Sequence, residues 1–218
     1  MQAKPRQITN IRKAKLKNHF RVAIFGSARI KKGDKTYKLV YNLAKLIGKE
    51  GMDVVTGGGP GLMDAASQGH YSGDKNNKAR SIGLTIHLPR EQRDSYHLEI
   101  KKEFHQFSKR LDNFMYLSNA VVVAPGGVGT LLEFLYAWQL VQVHKVKEIP
   151  IILLGDHWHE LLDWIKRNPV KHKLIGVNEL EPVFCVKTAE DAMRIIRQAR
   201  DAYKLGDKDI CKKLKSLK

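Results

Sequence analysis

The sequence predicts a doubly wound α/β fold: one parallel sheet, helices on both faces, a single domain. Three observations carry this. Short, continuously apolar stretches recur along the chain, each is followed by a turn and a stretch of helical length, and two of the turns are dense in glycine. A strand apolar at every position is one buried on both faces. Alternation of such strands with helices gives a parallel sheet, whose ligands sit at the carboxyl ends of the strands.

Taken in order, Arg21–Ser27 (RVAIFGS) reads as the first buried strand, followed by a polar loop and an amphipathic helix near Thr36–Glu50. Met52–Thr56 is a second strand that runs into Gly57-Gly58-Gly59-Pro60-Gly61, with a helix near Leu62–Gly69. Arg80–His87 is a third strand, Glu99–Phe104 a short additional one, and Ser108–Ser118 a helix. Ala120–Ala124 (AVVVA) leads into Pro125-Gly126-Gly127-Val128-Gly129 and an apolar helix from Thr130 to about Val143. Pro150–Leu154, a helix at His157–Arg167, a strand at Val183–Val186 and a helix at Ala189–Lys204 complete the pattern.

Composition bounds the class. The chain has 218 residues, 43% hydrophobic and 28% charged, values of a soluble globular protein with enough apolar material for one core. No apolar run of about 18 residues occurs, so no membrane span is expected, and the basic N-terminus lacks the apolar stretch of a secretory signal. Cys185 and Cys211 stand apart with no CxxC or Cys/His spacing, which argues against a disulfide framework and against zinc, and for a cytoplasmic location. No metal and no other cofactor is called for. The net charge of +17 is uneven: residues 1–21 hold seven basic and no acidic side chains, and residues 207–218 five basic and two acidic ones. Residues 1–19 and 206–218 are therefore read as solvated basic tails around one folded unit, 20–205. The tails could contact nucleic acid weakly, but no nucleic-acid-reading motif supports more.

The two glycine-rich turns carry the chemistry. Glycine lets a ligand approach the backbone closely, and a helix that starts there directs free N–H groups and its positive end at the same point. Phosphate is the natural occupant. Neither turn completes GxGxxG, no acidic residue closes the second strand to hold a ribose, and no Walker A lysine occurs. That leaves a mononucleotide-type cradle or a pair of merely tight turns. Thr130 is placed at or near the N-cap of its helix, where its hydroxyl can serve a phosphate or the cap.

Pro125-Gly126-Gly127-Val128-Gly129-Thr130-Leu131-Leu132-Glu133 fits PGGxGTxxE, and Gly57-Gly58-Gly59-Pro60-Gly61-Leu62-Met63 a GGGxxGLM turn shortened by one residue. With Arg110 upstream, Leu88-Pro89-Arg90-Glu91 as an LPxE segment, and Gly26-Ser27 closing the first strand, the chain resembles the Lonely Guy family. These are phosphoribohydrolases, long labelled lysine decarboxylase-like, that release a cytokinin base from its riboside 5′-monophosphate. The resemblance spans about Phe20 to Arg167. Two positions depart from it: Leu111 stands where a lysine usually follows the arginine, and Gln139 replaces a threonine, although Gln142 keeps the following glutamine.

The resemblance implies a Rossmann-like nucleotide-binding fold, Arg110 and Glu133 as the catalytic pair, and a purine nucleoside 5′-monophosphate as substrate, whether AMP or an N6-modified adenine nucleotide. Substrate contacts are expected from Gly26, Ser27, Gly58, Gly59, Gly61, Met63, Glu91, Gly126, Gly127, Val128, Gly129, Thr130 and Gln139. It also implies a homo-oligomer, a dimer or a multiple of dimers paired through the apolar helices. The residues themselves agree that a carboxylate one turn beyond a phosphate-holding helix end can face a ribose and stabilise a sugar cation. Phe134, Tyr136 and Trp138 are read mainly as core or interface, and His157 and His159 as surface. The rival class is a noncatalytic carrier or sensor of nucleotides or of the molybdenum cofactor. It would have no need of both Arg110 and Glu133.

Overall fold

In the computed structural model, which describes residues 6–7, 19–87, 94–95, 97–207, 211 and 214, the chain forms a sheet of parallel strands. The strands are β1 (Arg6–Gln7), β2 (Arg21–Phe25), β3 (Asp53–Thr56), β4 (Ser81–Ile86), β5 (Ile100–Phe104), β6 (Ala120–Val123), β7 (Ile151–Leu154) and β8 (Val183–Val186). The helices are α1 (Lys35–Lys49), α2 (Leu62–Gly73), α3 (Phe107–Leu117), α4 (Val128–Gln142), α5 (Trp158–Ile165) and α6 (Ala189–Lys204). Across the sheet the order is β1-β5-β4-β3-β2-β6-β7-β8. From β2 the chain builds outward to β5, then returns to lay β6 on β2's other side. Strand order thus reverses between β2 and β6, and the loops leaving their carboxyl ends diverge to open a crevice there.

Side chains alternate across each strand and so fill two cores. Val22 and Ile24 of β2, with Val122 of β6 and Ile152 of β7, face α1, α2 and α6. Ala23 and Phe25, with Val121 and Ile151, face α3, α4 and α5. Both faces being covered is why these strands read as unbroken apolar runs. Asp34 caps α1 by accepting from the Thr36 N–H at 2.6 Å, and Thr188 caps α6 through the Asp191 N–H at 3.1 Å. Arg197 and Arg200 of α6 clasp Glu50 at the end of α1, at 2.6 and 2.5 Å.

Both segments read as tails contribute to the fold. Arg6 and Gln7 pair with Ile100 and Lys101 at the sheet edge. Two polar residues joined to the sheet by strand pairing leave no hydrophobic pattern to read. Cys211 and Leu214, both helical, are buried in the core that includes α1 and α6. Their three-residue spacing is that of a helix face, masked by the lysines around it. Helix α4 begins at Val128, two residues before the expected start.

Candidate functional site

Three turns meet at the crevice. The Ser27 N–H donates to the Pro125 carbonyl at 3.0 Å, and the Ser27 carbonyl accepts from the Leu62 N–H at 2.9 Å. The turn after β2 is therefore held between the turn after β6 and the start of α2. Gly61 has φ +70°, and a Cβ there would collide with the Ser27 carbonyl, so only glycine fits. Gly26 packs on the Leu62 side chain, 2.8 Å from where a Cβ would stand. Gly58 donates its N–H to the Thr56 hydroxyl at 3.1 Å and accepts from the Ser95 N–H at 2.7 Å. It is buried, as is Gly59.

The turn after β6 is open. Gly126, Gly127, Val128 and Gly129 are exposed, and added Cβ atoms at Gly127 and Gly129 would meet nothing within 4 Å. Gly127 is the N-cap of α4 and brings no side-chain cap, so the first N–H groups of the helix face outward without a protein acceptor from that residue. Thr130, read as at or near the N-cap, lies in the first turn of α4, and the cap itself is Gly127. Thr130 is the third residue of the helix and is buried, with its hydroxyl directly beneath Gly126, where a Cβ has no room.

Glu133 follows one turn further into α4 and meets Arg110 of α3, Nη1 to Oε1 at 3.3 Å. The guanidinium is held by several neighbours. Its Nε donates to the Leu84 carbonyl within β4 at 2.6 Å, its carbon lies 5.1 Å from the centre of the Phe114 ring, and Nη2 rests against Gly57. A Cβ on Gly57 would strike Nη2 and stand 2.6 Å from the Met63 sulfur. Met63, half-buried, thus flanks the same spot from α2.

Burial sets the electrostatics of the pair. Desolvation pushes the Glu133 carboxyl up to about 7, and Arg110 offsets only part of it. Desolvation also draws Arg110 down, against the pull of Glu133, yet a guanidinium keeps its charge. The result is an acid that titrates near neutrality, beside a fixed cation and at the rim of an open, N–H-lined turn.

Gly26, Ser27, Gly58, Gly59, Gly61, Met63, Arg110, Gly126, Gly127, Val128, Gly129, Thr130 and Glu133 all lie on or beside the three converging turns. Gln139 does not: six residues beyond Glu133, it is about 9 Å further along the helix and on a different face. It is exposed and bonds to Gln142 at 3.1 Å. Glu91 lies outside the described residues. Three contributors were missed in the sequence. Gly57 was quoted in its motif but not counted as part of the site. Phe114 could have been found from its i+4 spacing to Arg110. The Leu84 carbonyl leaves no side-chain signal at all.

Comparison with known proteins bears on the family and the fold. A family model described as possible lysine decarboxylase matches residues 63–196. A pyrimidine/purine nucleotide 5′-monophosphate nucleosidase of Escherichia coli K12 is 27% identical over 189 residues, covering 77% of this chain and 40% of that protein. A probable cytokinin riboside 5′-monophosphate phosphoribohydrolase of Oryza sativa subsp. japonica is 32% identical over 162 residues, covering 71% of this chain and 62% of the relative. The chain therefore spans less than two thirds of the length of either relative. Among solved structures, the molybdenum cofactor carrier protein of Chlamydomonas reinhardtii matches with a TM-score of 0.61 and 19% identity, over 83% of this chain and 98% of that one. At such identity the likeness speaks for the fold.

Proposed function

The chain belongs to the family described as possible lysine decarboxylase, and from that premise we propose that it hydrolyses the N-glycosidic bond of a purine nucleoside 5′-monophosphate. The observation that carries the reading is the buried Arg110–Glu133 pair set one helical turn behind an open, glycine-lined helix start. The names of the two relatives point to the same class of substrate.

In this reading the 5′-phosphate rests on the backbone of Gly126–Thr130, where a helix end favours negative charge. The ribose then lies over the first turns of α4, with C1′ toward Glu133. Water adds to C1′, the C1′–N9 electron pair leaves with the base, and the base takes up a proton. As that bond stretches, positive charge grows on the ribosyl ring, and the Glu133 carboxylate stabilises it and draws a proton from the water. Arg110 holds the carboxylate in place and keeps a fraction of it ionised at neutral pH. It also offers Nη2 toward the crevice for a ribose hydroxyl.

Exposed Val128, Leu132 and Leu135 on α4 support a homodimer around the site, since such a face is unusual on a monomer. A cytoplasmic location accords with Cys185 and Cys211 standing apart in the chain with no CxxC or Cys/His spacing. Incubation with AMP and with isopentenyladenosine monophosphate tests the activity: free base and ribose 5-phosphate are expected. Glu133→Gln and Arg110→Ala should each lower turnover about a hundred- to a thousandfold, with the fold retained. Release from neither nucleotide by the parent chain would favour a noncatalytic carrier of nucleotides or of the molybdenum cofactor.

A further inference from the structure

The loop after β2 places three cations within four residues, Arg29, Lys31 and Lys32, all exposed. Among the described residues, none of the three side chains has an ion-pair or hydrogen-bond partner. With Tyr37, Gly61 and Asp64 they line a cleft of about 520 Å³. Exposed lysines alone carry little meaning. Here their convergence on one open cleft matters, and so do the partners of the one carboxylate among them. Asp64 accepts from the Tyr37 hydroxyl at 3.0 Å, from the Gln68 amide at 2.5 Å and from the Ser95 hydroxyl at 2.9 Å. Burial and the neighbouring Asp64 drive the Tyr37 hydroxyl above its ordinary range, so it stays a donor to that carboxylate. Asp64 is thus engaged by three neutral donors and leaves the cations unpaired. The cleft holds three positive charges against one negative.

The position of this cleft relates it to the crevice. Ala28 and Gly61 belong to its wall. The adjacent Ser27 bonds on one side to Pro125, at the head of the phosphate turn, and on the other to Leu62. A single backbone ridge, Ser27–Ala28, therefore separates the cationic cleft from the turn at Gly126–Thr130. With a monophosphate placed on that turn, as the reading above has it, a second or third phosphoryl group extending over the ridge would meet the cations behind it.

We propose that this cleft is a subsite for the additional phosphoryl groups of a nucleoside 5′-di- or triphosphate, which thereby competes with the monophosphate. The inference deepens the nucleotide reading above and rests on it. Lysine binds phosphate as a point charge, and exposed lysines do so most strongly at low ionic strength.

The test is equilibrium binding of AMP, ADP and ATP to the full chain carrying Glu133→Gln, which leaves AMP uncleaved, at low ionic strength and without divalent cations. ADP or ATP should bind about tenfold tighter than AMP, the size of one charge-assisted contact. Lys31→Ala/Lys32→Ala should erase that gain and leave AMP affinity within about twofold. A gain that is absent from the start, or that survives loss of both lysines, overturns the subsite and leaves the monophosphate reading standing. Inorganic tripolyphosphate binding as tightly as ATP would also overturn it, because the nucleotide would then supply no anchor. Failure of all three nucleotides to bind overturns both readings.

Discussion

Glu133 makes a prediction about stability that needs no substrate. Its carboxyl holds a proton up to about 7 in the folded chain, against an ordinary value of 4.5 that applies once the chain unfolds. The folded state is thus the tighter proton binder. This group's contribution to stability is fully present below pH 4.5 and is lost as the pH rises through 7. Worked through linkage, the loss is about 3 kcal/mol once the carboxylate is ionised in both states. Glu133→Gln keeps the shape and removes the titration. Urea unfolding of the parent and the variant across about pH 5 to 8 should show the variant gaining about 2–3 kcal/mol relative to the parent over that range. Groups common to both proteins cancel in the difference. A difference that stays flat would mean Arg110 keeps the carboxylate ionised throughout, and the reasoning from burial would be refuted. So would a difference that moves the other way.

Gly57→Ala should cost about 1–3 kcal/mol and reduce turnover, because the new methyl group displaces Arg110 or Met63. Normal stability together with normal kcat would show that the guanidinium has room to spare. His70 is fully buried, with Nε2 on the Met52 carbonyl at 2.9 Å, and burial lowers its pKa below 6.5. Its unfolded form binds protons more readily, so its share of stability is present above pH 6.5 and is lost on acidification. The urea midpoint of the parent should therefore fall faster than that of His70→Gln as pH drops below 6.5, opposite in sign to the Glu133 effect. On α4, Leu132 and Leu135 are 47% and 49% exposed. The double change Leu132→Asp/Leu135→Asp should yield a monomer in analytical ultracentrifugation where the parent is dimeric. A parent that is monomeric at all concentrations would remove the proposed pairing.

The parallel sheet and the place of its crevice were legible in the sequence because their signals are local. AVVVA and IILL are apolar at every position because both faces of the strand are covered. Gly126–Gly129 lie between a strand and a helix because a turn that offers its backbone has to shed side chains. The pairing of Arg110 with Glu133 also came through, but only by resemblance, since they lie 23 positions apart with a whole strand between them. What stayed hidden depends on groups that carry no side-chain code or that come from distant elements. The Leu84 carbonyl that fixes Arg110, the close packing at Gly57, and the polar edge strand Arg6–Gln7 are backbone facts. The unpaired state of Arg29, Lys31 and Lys32 follows from Asp64 being engaged by α1, α2 and the stretch after β4. Periodicity reports which face of an element is buried. Only the assembled chain decides which atoms that burial leaves charged, paired or exposed to a ligand.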